Sequence, residues 1–136
     1  MNTLDTNLNN NDISIDYTHK INTSELYNWI YHLKNIKKEI KNIFKLLEQP
    51  IKPLVLKESI LEKLVKKNLE NNKLLSILNN YAKTRENIIE CEDLHCDMIF
   101  INEHKNCRKN YLYHLENYTN LKNKIYNKIE NKNKIS

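Results

Sequence analysis

The side chains best suited to bind a metal or to act in catalysis are cysteines and histidines that cluster in the second half of the chain. They are Cys91, His95, Cys96, His104, Cys107 and His114. On helices, a pair spaced i, i+4 or i, i+3 shares one face, so two such pairs on facing helices would make a Cys2His2 zinc site. The candidate ligands would be Cys91, His95, His104 and Cys107. The chain would then have to turn within 96–103, which holds no turn-forming residue, and no pair has the C-x2-C spacing of strong zinc motifs. We therefore expect buried thiols, and neither a metal nor another cofactor.

Catalysis is also not expected. A cysteine nucleophile beside a histidine base needs an oxyanion site, and the sequence offers none. The chain has no Gly, whereas phosphate-binding loops and nucleophile elbows depend on Gly for their backbone geometry. The acidic residues of 90–97 are expected either to be solvated or to form a docking patch for a basic partner. We predict that the protein is not an enzyme.

A lysine-rich surface is the second candidate site. The net charge is +5, and five lysines are predicted to lie on one broad side of the first helix: Lys34, Lys37, Lys38, Lys41 and Lys45. Clustered bases can bind phosphates. However, only Arg85 and Arg108 are Arg among 22 bases, and Arg is the commoner reader of base edges. Nucleic-acid or anionic-surface binding is therefore an alternative that is not favoured.

The elements that position these residues begin with a helix that carries a heptad repeat. Its apolar residues are spaced by three and four, as in a coiled-coil seam. They are Leu26, Trp29, Leu33, Ile36, Ile40, Ile43 and Leu47. Asn22 and Glu25 could form a capping box at its start, and Pro50 and Pro53 must end it. The predicted helix spans about 23–49.

Beyond Pro53 the sequence contains neither Pro nor Gly, so a turn has to be inferred from polarity. The apolar period is lost at 91–98, and it is weak at 66–73, which is the second candidate for a turn. We predict helices over about 54–90 and 97–130, with a turn most favoured at 91–98. The last helix has a more aromatic and polar seam, which includes Phe100, His104, Cys107, Tyr111, Tyr118 and Leu121.

These elements predict an all-α fold. It is either an elongated helical hairpin or a three-helix antiparallel bundle with coiled-coil character. Residues 22–130 form the single domain, preceded by a disordered polar tail (1–21) and followed by a frayed end (131–136). The net charges of 26–67, 68–104 and 105–136 are +6, −4 and +6. Folding the acidic block between the basic ones favours the bundle over a single rod.

The architecture predicts a function without catalysis. We expect a coiled-coil adaptor or structural subunit of a multiprotein assembly, which binds partner helices, or self-associates, through the two seams. No apolar run is long enough for a transmembrane helix. The start of the sequence lacks secretory and mitochondrial signals, and three cysteines cannot all pair, so we expect reduced thiols and a cytoplasmic, or nuclear, location.

Overall fold

The computed structural model describes residues 3–49 and 54–135, with side chains over 14–49 and 56–130. The described part of the chain consists of three long α-helices and one short 3₁₀ helix, with no strand. In chain order they are α1 (Thr3–Leu46), α2 (Leu54–Arg85), the 3₁₀ helix (Glu86–Glu90) and α3 (Leu94–Ile135). The all-α prediction is confirmed.

Helix α1 begins about 20 residues earlier than predicted, at Thr3. The expected disorder of 1–21 is therefore wrong for the described part of that segment. The segment lacks an apolar period, but its end has polar contacts with other helices: His19 is buried, its ring contacts Asp97 of α3, and its carbonyl accepts from Arg85 of α2. The proposed capping box does not form, because Asn22 and Glu25 lie well inside the helix.

Helix α2 passes through the polar stretch 66–73 without a break. Its fully buried residues Leu64, Asn71 and Leu78 are spaced by heptads. Asn71 therefore occupies a seam position, while Leu69, the apolar residue of this stretch, is 64% exposed. The seam is continuous because an amide with hydrogen-bonding partners can replace an apolar side chain at one heptad position.

The predicted turn is present but begins earlier than expected. The chain changes direction over the 3₁₀ helix and residues 91–93, and α3 starts at Leu94. The Asp93 carboxylate caps α3, accepting a hydrogen bond of 2.9 Å from the backbone N–H of Cys96. At its other end α3 continues to Ile135, so the predicted frayed end is helical that far. The predicted Pro corner at 50–53 lies outside the described residues.

The direction of the helices follows from which residues meet. Three side-chain pairs between α1 and α3 keep a sequence separation of 78 or 79, so these helices run parallel. On α2, Asn71 contacts His114 of α3, and the later residue Tyr81 contacts the earlier residue His104. Helix α2 is therefore antiparallel to α3. The bundle is thus up-down-up, and α1, with 44 residues, is about 66 Å long at ~1.5 Å per residue.

The core runs along the bundle axis. It contains the predicted seam of α1, to which Ile30 is added, together with residues of α2 and α3. The buried apolar residues of α2 and α3 are Ile60, Leu64, Leu78, Tyr81, Tyr111, Tyr118 and Ile125. The buried residues of the predicted seams therefore belong to one core that the three helices share.

Candidate functional site

The residues predicted to bind partners lie inside the bundle. All seven seam residues of α1 are at most 5% exposed. On α3, His104, Tyr111 and Tyr118 are buried, whereas three more predicted residues are half-buried: Phe100, Cys107 and Leu121. In the folded chain these side chains form its own core. Binding of a partner through them remains a prediction, and it would require the helices to separate.

A buried chain of hydrogen bonds joins the three helices around His104, whose side chain is fully buried. Arg85 Nη1 donates to the Tyr81 hydroxyl (2.9 Å), which in turn donates to His104 Nδ1 (2.9 Å). Because Nδ1 accepts, Nε2 carries the proton, and it donates to Glu25 Oε1 at 2.7 Å. Arg108 binds the same carboxylate through Nε and Nη2.

The charges of this network follow from its surroundings. Burial lowers the pKa of His104, and the hydrogen bond to Glu25 does not cancel that effect. Burial acts to raise the pKa of Glu25, but hydrogen bonds from Arg108 and His104 outweigh it, so that pKa is lowered. The imidazole is therefore neutral and the carboxylate ionised near neutral pH. These states match the donor and acceptor roles that His104 and Glu25 have in the hydrogen-bond network.

Trp29 holds the rings of α3 in place. Its indole stacks on His104, with centroids 4.8 Å apart, and on Tyr111, with centroids 5.2 Å apart. The interplanar angles are 16° and 21°. This seam tryptophan therefore orients the imidazole whose two nitrogens are bound by Tyr81 and Glu25.

Similar polar contacts recur along the bundle. Asn71 donates to the Leu33 carbonyl (3.0 Å), and its Oδ1 accepts from His114 Nε2 (2.8 Å). Burial lowers the pKa of His114, and the positive charge of Lys67 adds to that effect. As a result, His114 also is neutral near neutral pH.

The α1–α3 interface repeats this arrangement at heptad spacing. We define the α1–α3 polar pairs as His19–Asp97, Glu25–His104, His32–Tyr111 and Glu39–Tyr118. The four α3 members are each seven residues apart, so one face of α3 presents a polar group to α1 at every heptad. Such pairs fix the register of α1 against α3, because sliding either helix would leave buried polar groups unpaired.

The candidate zinc ligands do not converge within the described residues. His104 is bound to Tyr81 and Glu25, and His95 is exposed. Cys91 forms a disulfide with Cys96, with Cα atoms 5.5 Å apart. The expectation of reduced thiols is therefore wrong for this pair, because the turn brings two cysteines only five residues apart into bonding distance. Cys107 remains a thiol, and burial raises its pKa.

The turn between α2 and α3 has an open surface that combines apolar and acidic side chains. Ile89 is 93% exposed and Leu94 is 58% exposed. Both line a groove of about 700 Å³ between the turn and α1, together with Ile15, His19 and Asp93. We call this concave surface the corner groove.

The lysine side of α1 is exposed as predicted. Lys34, Lys38, Lys41 and Lys45 follow one another at helical spacing and form a stripe, with Lys37 beside it. The side chains of all five are exposed, and none belongs to an ion pair among the described residues. The stripe is therefore available to an anionic partner.

Sequence reasoning missed the residues that build the polar network. Arg85 and Arg108 are the two arginines of the chain, and each uses its planar guanidinium to make more than one hydrogen bond to α1. Their rarity among 22 bases was a usable signal. Asn71 and Glu25 carried no such signal, because their partners lie on other helices.

Comparison with protein-family models, with curated proteins and with solved structures finds no match for this chain. Within the described residues, none of the helices has the length and apolar character that crossing a bilayer requires.

Proposed function

We propose that the protein is a non-enzymatic helical adaptor or structural subunit of a multiprotein assembly. The observation that supports this proposal most strongly is the corner groove, where Ile89 and Leu94 are exposed beside Ile15 and Ile88. An apolar cluster in a concave surface is typical of a site that binds another protein. In this proposal the predicted seams pack within the bundle, and the partner binds on its exterior.

The polar network supports a structural role for the chemically active groups. His104 is fully buried, and both of its nitrogens have partners, so a substrate would have no access to the ring. The Glu25 carboxylate is bound by Arg108 and His104. These residues specify how the helices pack, which is the property that a rigid adaptor needs.

Isolation of the protein from its own cells tests the adaptor proposal. The chain, carrying a tag, is expressed at its natural level and purified after mild cross-linking, and an unrelated tagged helical protein serves as control. We expect a small, reproducible set of proteins in near-stoichiometric amount. A monomer that brings down no partner above the control would contradict the proposal.

The exposed lysine stripe of α1 favours a second candidate function, which is binding to an anionic polymer or surface. Its five lysines have no carboxylate partner among the described residues, so their charge is available to phosphates. The triple variant Lys37→Glu, Lys38→Glu, Lys41→Glu tests this function against a DNA duplex and against anionic vesicles. Binding that weakens steeply with added salt, and that the triple variant loses, would support this function. Binding that the triple variant retains would exclude the stripe as the site.

A further inference from the structure

The corner groove is lined in part by exposed apolar side chains. Ile89 on the 3₁₀ helix and Leu94 at the start of α3 are 93% and 58% exposed. Across the groove, α1 contributes Ile15. Isolated apolar side chains on a surface are ordinary, but side chains from three elements that line one groove of about 700 Å³ form a surface suited to apolar anchors.

The rim of the groove carries negative charge, although the whole chain has a net charge of +5. Three of the five acidic residues of 86–97 line the groove, namely Glu92, Asp93 and Asp97, and this segment contains no Lys or Arg. Asp16 adds a further carboxylate from α1, and Lys20 is the base that lines the groove. A partner with complementary charge is therefore basic.

One lining side chain is already bonded to the rim. His19 is 7% exposed, and its Nε2 lies 2.9 Å from Asp97 Oδ1. Asp97 is therefore already paired, and a basic partner would face the other carboxylates that line the groove.

We propose that the corner groove binds an amphipathic helix of a partner protein, with Leu-type anchors on one face and Lys or Arg beside them. The anchors pack between Ile15 and Ile89, and the bases face the acidic rim. This inference rests on the proposed adaptor function and names the class of partner.

A synthetic peptide tests the proposal with the full-length chain. The probe is a labelled helical peptide with Leu on one face and Lys on the other, and its binding is followed by fluorescence anisotropy at constant salt. One control peptide has the same composition in an order that destroys the apolar face, and another has Glu in place of Lys. We expect both control peptides to bind at least about tenfold more weakly than the probe.

Matched variants of the chain locate the site. Ile89→Ser and Glu92→Lys alter the groove, while Leu112→Ser and Glu58→Lys make the same changes at exposed positions on α3 and α2. Circular dichroism first checks that all four retain the helical fold. We expect roughly tenfold weaker peptide binding for each groove variant, as for a central interface residue, and little change for the matched controls.

Three outcomes would overturn the inference. Equal binding of the shuffled peptide would show that charge alone attracts the probe, and equal binding to Ile89→Ser would place the contact elsewhere. Self-association of the chain that Glu92→Lys abolishes would make a second copy the occupant. If partners co-purify from cells and survive both groove variants, the groove assignment fails while the adaptor proposal stands.

Discussion

At the residue scale, His104 is the side chain that links the three helices. The ring is fully buried, stacks on Trp29, and links Tyr81 of α2 to Glu25 of α1. In the interior of a helical bundle an imidazole replaces an apolar side chain at a cost in desolvation, which is recovered only if both nitrogens are paired. The three-helix network satisfies this condition.

Truncation of this ring should therefore be strongly destabilising. His104→Ala leaves a cavity and removes one partner each from Tyr81 and Glu25, so we expect unfolding to become easier by about 3 kcal/mol. Urea unfolding followed by circular dichroism measures the change. His95→Ala, at an exposed position on the same helix, is the matched control. Equal stability of the two variants would contradict the network's importance.

The buried histidines also predict the direction of the pH dependence. Burial lowers the pKa of His104 and of His114 in the folded chain, so the unfolded chain binds more protons as the pH falls below about 6.5. Stability from these groups is present above that pH and is lost on acidification. Below about 4.5 the lowered pKa of Glu25 adds to the loss.

Thermal unfolding between pH 8 and pH 5 tests this prediction. The melting temperature should fall as the pH decreases through 6.5, because the neutral imidazoles are the forms that the fold binds. The double variant His104→Gln, His114→Gln should lose stability at pH 8 but show a flatter dependence on pH. A melting temperature that rises on acidification would contradict the assignment of neutral histidines.

At the element scale, the turn between α2 and α3 is built from features that the sequence only partly revealed. Its location was predictable from the loss of apolar period at 91–98. The 3₁₀ helix Glu86–Glu90, the Asp93 cap and the disulfide depend on how the two helices approach each other. A turn without Gly is possible here because a capping carboxylate and a covalent bond hold the backbone.

Removal of the disulfide should loosen this turn and leave the rest of the bundle folded. The double variant Cys91→Ser, Cys96→Ser frees a short loop, for which the chain-entropy model gives about 2 kcal/mol of lost stability. Urea unfolding measures the loss, and hydrogen exchange should show faster exchange confined to residues near 86–97. Cys107→Ser, a change of the thiol outside the disulfide, is the control. Equal exchange in both variants would contradict a structural role for the bond.

The seam of α1 was predictable because apolar spacing is a local property of the sequence. The seven seam residues between Leu26 and Leu47 are buried. The beginning of α1 was not predictable, since its contacts, such as those of His19 with Arg85 and Asp97, are with residues distant in the sequence. Asn71 shows the same limit, because its heptad position is polar and its partners, His114 and the Leu33 carbonyl, are on other helices.

At the scale of the whole molecule, the buried residues of the predicted seams form the core of the bundle. The double variant Leu33→Asp, Ile40→Asp should fail to fold and so show no cooperative unfolding transition, since both side chains are fully buried. Circular dichroism and thermal unfolding report the loss. Tyr31→Asp, on the exposed side of α1, should retain the fold. A folded double variant would mean that these residues face outward in solution.

The adaptor account is tested most directly by co-purification of corner variants from the protein's own cells. The wild-type chain, the double variant Ile89→Ser, Glu92→Lys and the matched double variant Leu112→Ser, Glu58→Lys are compared by quantitative mass spectrometry at equal expression. We predict that the groove variant loses a partner that the wild-type chain and the matched variant retain. Retention of every partner by the folded groove variant, or the lack of any partner for the wild-type chain, would contradict the account.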